Sequence, residues 1–149
     1  MFEIKNVSKS YNKNSDKAVA NVNLTVNNGE IFGFLGPNGA GKTTTIRMLT
    51  GIMQSDEGEI LLDNISMKER PIAAKRTFAF VPDNPETFSR LKAIEYLNFI
   101  CDVYKIPVDL RKERINHYCE KFGLQEVLNN RISSFSHGMK QKLVLSASL

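Results

Sequence analysis

The chain has 149 residues, 42% of them hydrophobic, and carries a net charge of +4 from 20 basic and 16 acidic side chains. That is enough chain for a real core and a second, smaller unit. The composition excludes a disordered or low-complexity polymer. The basic residues are scattered, with one small cluster at Arg111, Lys112 and Arg114, so no nucleic-acid partner is expected. No apolar run reaches the about 18 residues a membrane helix needs, and Met1-Phe2-Glu3-Ile4 does not read as a signal peptide. Cys101 and Cys119 sit inside apolar helical patterns and, like His117 and His137, have no metal-ligand spacing.

In chain order, residues 2–7 alternate loosely and predict a short strand. Ser8 to Lys17 is polar and turn-like, with Tyr11 alone in it. Ala18, Ala20, Val22, Leu24 and Val26 alternate with polar neighbours, which predicts a half-buried antiparallel strand. Asn28-Gly29 signals a hairpin. Its expected partner, Glu30–Leu35, is apolar on both faces and is placed in the centre of a sheet. A helix from Gly41 should stop near Gly51, and Asp56-Glu57-Gly58 should turn the chain into a strand at Glu59–Asp63. Residues 65–76 are ambiguous, because Pro71 breaks any long helix there. Thr77–Val81 predicts a short strand, and Asp83 to Arg90 a loop.

From here the pattern becomes helical. Lys92–Lys105 carries the stripe Ile94, Leu97, Cys101 and Tyr104. Asp109 is expected to cap a second helix whose Ile115, Tyr118, Cys119 and Phe122 fall at i, i+3, i+4 and i+7, with Gly123 ending it. Arg131–Phe135 reads as a linker, and a third helix should begin near Ser136 or His137. The expectation is an α/β chain in two parts: a β-rich half, residues 1–82, and a helical subdomain, residues 83–149.

The most informative stretch is Gly36-Pro37-Asn38-Gly39-Ala40-Gly41-Lys42-Thr43-Thr44. It follows the apolar run Ile31–Leu35 and opens the first predicted helix. Glycines let the backbone turn tightly and aim N–H groups at one anion, and a helix N-terminus adds its positive end. Lys42 can bring an ammonium to the β- and γ-phosphates, and the Thr43 hydroxyl can ligate Mg²⁺. Gly36, Asn38, Gly39, Ala40, Gly41, Lys42, Thr43 and Thr44 are therefore the candidate phosphate cradle.

Downstream, Phe135-Ser136-His137-Gly138-Met139-Lys140-Gln141-Lys142 predicts a second helix N-terminus facing an anion, with Ser136 as N-cap and the N–H groups near Gly138 as donors. This stretch resembles the L-S-G-G-Q-x-Q-R signature of ABC-type ATPases at Ser136, Gly138 and Gln141, and departs from it at His137 and Met139. Asn6-Val7-Ser8-Lys9-Ser10-Tyr11 looks like the family's first strand and aromatic loop, and Gly51–Ile60 like its structural segment after the phosphate loop. The resemblance spans residues 1–149. It implies a P-loop fold with an antiparallel β portion and a helical subdomain. It also implies ATP and Mg²⁺ as ligands, Tyr11 stacked on adenine, and Ser136 and Gly138 contacting the γ-phosphate of a second, head-to-tail subunit. An integral membrane partner and a place on the cytoplasmic side of the membrane follow from the same resemblance.

Two departures matter. Val81-Pro82-Asp83-Asn84-Pro85 has Asp83 where the family usually has a glutamine near Mg²⁺ and the attacking water. A carboxylate accepts hydrogen bonds and ligates a hard cation but does not donate as an amide does. Asp83 is thus a candidate catalytic and metal-binding residue. Together with the stretch Ser136–Gln141 it looks most like ATPase subunits of bacterial drug, bacteriocin or lipid exporters. The second departure is that Ser146-Ala147-Ser148-Leu149 carries no stop signal and no acidic strand end follows. The expectation is a piece cut in mid-helix, holding phosphate but inactive in hydrolysis alone. The competing readings are a soluble ABC-type ATPase of translation or repair, a binding-only P-loop module, and a different P-loop enzyme. A GTPase is disfavoured because Asn12-Lys13-Asn14-Ser15 lacks the aspartate of N-K-x-D.

Overall fold

The computed structural model describes residues 1–12, 16–83 and 88–149. Lys13–Ser15 and Asn84–Pro85, which entered the sequence reading, lie outside these. The chain divides into two compact units, Met1–Phe78 and Ala79–Leu149.

The first unit is built on an antiparallel sheet of order β2-β1-β3-β4, with β1 at Phe2–Lys9, β2 at Val19–Val26, β3 at Glu57–Leu62 and β4 at Ile65–Ser66. Helix α1, Lys42–Leu49, adds Met48 to a core of Ile4, Val7, Val19 and Ile60. Burying side chains of this size stabilises by about 1.5–3 kcal/mol each. Helix α2, Pro71–Lys75, starts on its proline, whose missing N–H costs nothing at a first helical position. Asp63 and Asn64 both take positive φ and close the tight turn between β3 and β4.

The sheet is irregular where β1 passes β3. Lys5 pairs with Glu59, but Ser8 pairs with Glu57, so β1 spends one extra residue there. Gly58 lies opposite this bulge with φ +82, and a Cβ on it would stand 2.4 Å from the backbone oxygens of Lys5 and Asn6. The expected turn at Asp56-Glu57-Gly58 is thus partly wrong: Glu57 and Gly58 are already strand. Gly58→Ala is expected to cost about 3 kcal/mol through its strained backbone, read as a lower urea midpoint in the full-length protein. An unchanged midpoint would mean that the bulge relaxes freely.

Two predicted strands are not formed. Asn28-Gly29 does turn the chain, with the Glu30 N–H donating to the Asn27 carbonyl at 3.3 Å and the Glu30 carboxylate accepting the Asn27 N–H at 2.7 Å. Residues 30–35 then run as irregular chain, with Ile31 and Leu35 almost fully exposed. The partner of β2 is β1, not this segment. Residues 77–81 are likewise irregular, with Phe80 and Val81 exposed. An apolar run becomes a strand only where neighbours take up its N–H and C=O groups, and among the described residues none does. The sheet is not closed.

The second unit contains α3 at Ala93–Val103, α4 at Val108–Phe122 and α5 at His137–Ser148. Their core is Ala93, Tyr96, Leu97, Ile115, Cys119, Leu124, Ile132, Phe135 and Leu143. Burial raises the Cys119 thiol above its ordinary value, so it stays protonated. Glu95 reaches back to the N–H of Lys92 at 2.8 Å and closes the start of α3. Asp109 does not cap α4. Pro107 holds that position because its fixed φ starts the helix two residues earlier, and Asp109 stands in the first turn, where its charge complements the helix dipole. Gly123 ends α4 with φ +67. The stretch 131–135 is more than a linker: Ile132 and Phe135 are buried, and the Ile132 N–H donates to the Leu91 carbonyl at 2.9 Å.

Candidate functional site

The phosphate-loop residues fold back over the start of α1. The Ala40 N–H donates to the Pro37 carbonyl at 3.3 Å, and Gly39 and Gly41 take φ of +86 and +82. Gly41 has no alternative: a Cβ there would stand 2.6 Å from the carbonyl oxygen of Ala18, just ahead of β2. The close approach of that backbone fixes where the loop meets the helix. Helix α1 has no side-chain cap and no acidic residue in its first turn. Its first N–H groups therefore point out of the helix with no built-in acceptor among the described residues. The Lys42 ammonium lies across the loop, 2.5 Å from the Gly36 carbonyl and 2.7 Å from that of Pro37. Carbonyl oxygens hold it where an anion's oxygens would compete. Thr43 is exposed, while Thr44 and Thr45 are buried.

Thr44 is joined to Tyr11 by a hydroxyl–hydroxyl hydrogen bond of 2.9 Å. Tyr11 as a residue remains 58% exposed beside the first turn of α1. A largely exposed tyrosine thus stands next to the cradle. Two consecutive acids hold the chain around it. Asp56 accepts from Lys9 Nζ at 2.6 Å and from the Ser10 N–H at 2.8 Å, and Glu57 accepts from Lys17 Nζ at 2.6 Å. The Lys9 ammonium first, and the Ser10 N–H second, hold the Asp56 carboxyl below the ordinary aspartate range. Because the folded-state value is the lower one, this stabilisation is present at neutral pH and is lost as acid carries the group through that lowered value.

The remaining predicted residues belong to the second unit. Asp83 is exposed in irregular chain. Ser136 caps α5, its Oγ accepting the Met139 N–H at 3.3 Å, and no acidic residue follows in the first turn. Gly138 is not required by the packing around it, since a Cβ there would meet nothing within 4 Å. The fold thus brings Tyr11, Gly36, Asn38, Gly39, Ala40, Gly41, Lys42, Thr43 and Thr44 into one unit, and Asp83, Ser136 and Gly138 into the other. Among the described residues no cluster of three His, Cys, Asp or Glu forms a ready-made metal site.

The family model described as ABC transporter matches residues 19–149. The chain belongs to the ABC transporter family. It is 36% identical over 149 residues to the SkfA peptide export ATP-binding protein SkfE of Bacillus subtilis, covering all of this chain and 61% of that protein. It matches a solved ATP-binding subunit of an ABC transporter with a TM-score of 0.90 at 28% identity, over 99% of this chain and 61% of that one. It also matches the ATP-binding cassette MJ0796, solved as a dimer in a post-hydrolysis state with ADP and Pi, with a TM-score of 0.86 at 25% identity, over 100% of this chain and 69% of that one. This ABC-family chain thus spans about three fifths of the relatives' length. Its fold is the ABC-type P-loop fold, in α/β class, with an antiparallel portion and helices. No helix among the described residues is long and apolar enough to cross a membrane. No sequence motif marks the Asp56 clamp. The pairing of Ser8 with Glu57 reveals it, and no local pattern encodes that pairing.

Proposed function

We propose that this ABC-family chain is the nucleotide-holding part of an ATP-binding subunit that binds and hydrolyses ATP to drive export through an integral membrane partner, working at the cytoplasmic face. The observation that carries the reading is the uncapped start of α1 behind a glycine loop, with Lys42 held, among the described residues, only by that loop's carbonyls. The triphosphate would take the free N–H groups of the first turn, and Lys42 would exchange its two carbonyls for phosphate oxygens. Tyr11 would present its ring to the base. Thr43 exposes one hydroxyl at the same turn, and a hydroxyl with phosphate oxygens and water is a donor set that suits Mg²⁺. When bound, Mg²⁺ neutralises charge developing on the phosphates. Asp83 would act as hydrogen-bond acceptor and cation ligand where relatives carry an amide.

The export relative SkfE supports transport over a role in translation or repair. So does the exposed apolar surface of Phe88, Phe99 and Val103, which belongs to the same unit as Asp83 and suits a membrane-subunit contact. The test is phosphate release from MgATP by the full-length subunit, alone and with its membrane subunit in vesicles. Release that rises with the membrane subunit is expected. Neither release nor MgATP binding in either preparation would overturn the reading.

A further inference from the structure

The segment Asp56–Glu57 lies outside the phosphate loop and makes no contact that the proposed chemistry uses. Its two carboxylates nonetheless grip both ends of the stretch that carries Tyr11. Asp56 uses both oxygens on consecutive residues, Lys9 and Ser10, immediately before Tyr11. Its own N–H donates to the Ser8 carbonyl at 3.0 Å. The bulge opposite Gly58 brings Glu57 to Ser8, and Glu57 takes Lys17 on the far side of the loop. Between these anchors the Tyr11 hydroxyl reaches the buried hydroxyl of Thr44 in α1.

We infer that Asp56 is a positioning residue for nucleotide binding: through Ser10 and the Tyr11–Thr44 hydrogen bond it fixes the Tyr11 ring beside the phosphate cradle, ready to stack on the base. The inference rests on the proposed stacking of Tyr11. A ring on a free loop would pay the cost of ordering when it meets the base, whereas a ring tied at its hydroxyl and at the preceding backbone has paid it already. The Lys17–Glu57 pair is more exposed and contributes little alone. The Asp56 grip is the stronger, since a charged acceptor takes one ammonium and one backbone N–H while Lys9 is largely covered.

The test compares affinities of the full-length subunit for a non-hydrolysable MgATP analogue and for magnesium tripolyphosphate, which has the phosphates but no base. Tyr11→Ala should weaken the analogue about tenfold and leave tripolyphosphate unchanged. Tyr11→Phe keeps the stacking face and loses only the hydroxyl. It and Asp56→Ala should each weaken the analogue about threefold, again with tripolyphosphate unchanged. The double variant should lose no more than the larger single loss, since both act on one tether. Wild-type analogue binding in both Tyr11→Phe and Asp56→Ala overturns the inference, as does an equal loss on tripolyphosphate, which would place the effect in the cradle. Wild-type analogue binding by Tyr11→Ala would instead sink the stacking reading underneath.

Discussion

Replacing Lys42 by alanine is expected to weaken MgATP binding about a hundredfold and to leave folding stability within about 0.5 kcal/mol of wild type. Among the described residues the ammonium makes two hydrogen bonds, both to carbonyls of its own loop, at 2.5 and 2.7 Å. Each is solvent-accessible, and exposed contacts of this kind contribute little to stability. Toward a triphosphate the same group would make charge-assisted bonds worth about 1.5–3 kcal/mol apiece, and about 2.8 kcal/mol is a hundredfold in affinity. Lys42→Arg adds a second reading. The planar guanidinium keeps the charge but does not fit a cradle shaped for a compact ammonium, so it should recover only part of the loss. Isothermal titration of the three proteins with MgATP, alongside urea denaturation, separates these effects. Equal affinity of Lys42→Ala and wild type removes Lys42 from the site, and a large loss of stability would make it a structural residue instead.

The contrast between Lys42 and the segment just before it shows which parts of the chain were legible. The phosphate loop could be read from sequence because its determinants are local. Glycine is needed at Gly41 by the approach of Ala18, and a helix start is signalled within a few residues. Ser136 could be read for the same reason, since an N-cap and its N–H lie three residues apart. Glu30–Leu35 has as strong an apolar signal as any stretch, yet it is irregular and exposed. Strand formation is decided by partners distant in sequence, and the antiparallel sheet here is filled by β2, β1, β3 and β4. The Asp109 cap failed for a different reason: two helix-start signals stood two residues apart, and the proline's fixed φ prevailed. Asp56 was invisible because its meaning comes from a bulged register between β1 and β3. Composition near Asp56 suggests only a turn.

A non-hydrolysable MgATP analogue is expected to shift the full-length subunit from monomer to dimer, MgADP is not, and Ser136→Arg should abolish the shift while monomer affinity stays within about threefold. The reason lies in α5. Its N-terminus carries no acidic residue, and Ser136 uses its Oγ on the Met139 N–H, which leaves earlier N–H groups of the turn pointing outward. Gly138 has open space where a side chain would stand, so no packing within this unit demands glycine there. A helix end of this kind suits the approach of an external anion. The cradle around Lys42 already supplies one set of donors, and a second copy placed head to tail would bring Ser136 to the same γ-phosphate. The dimeric cassette MJ0796, solved with ADP and Pi and similar to this chain, supports such a pairing. ADP lacks the phosphate that both copies would share, so only the triphosphate gains differential contacts in the closed pair. Arginine at position 136 removes the cap, costing about 1 kcal/mol of helix stability, and fills the space a phosphate would enter. It leaves every contact of the Lys42 loop in place. Analytical ultracentrifugation with each nucleotide is the measurement. A Ser136→Arg protein that still dimerises, or one whose monomer no longer binds the analogue, would show that Ser136 does not act across the interface.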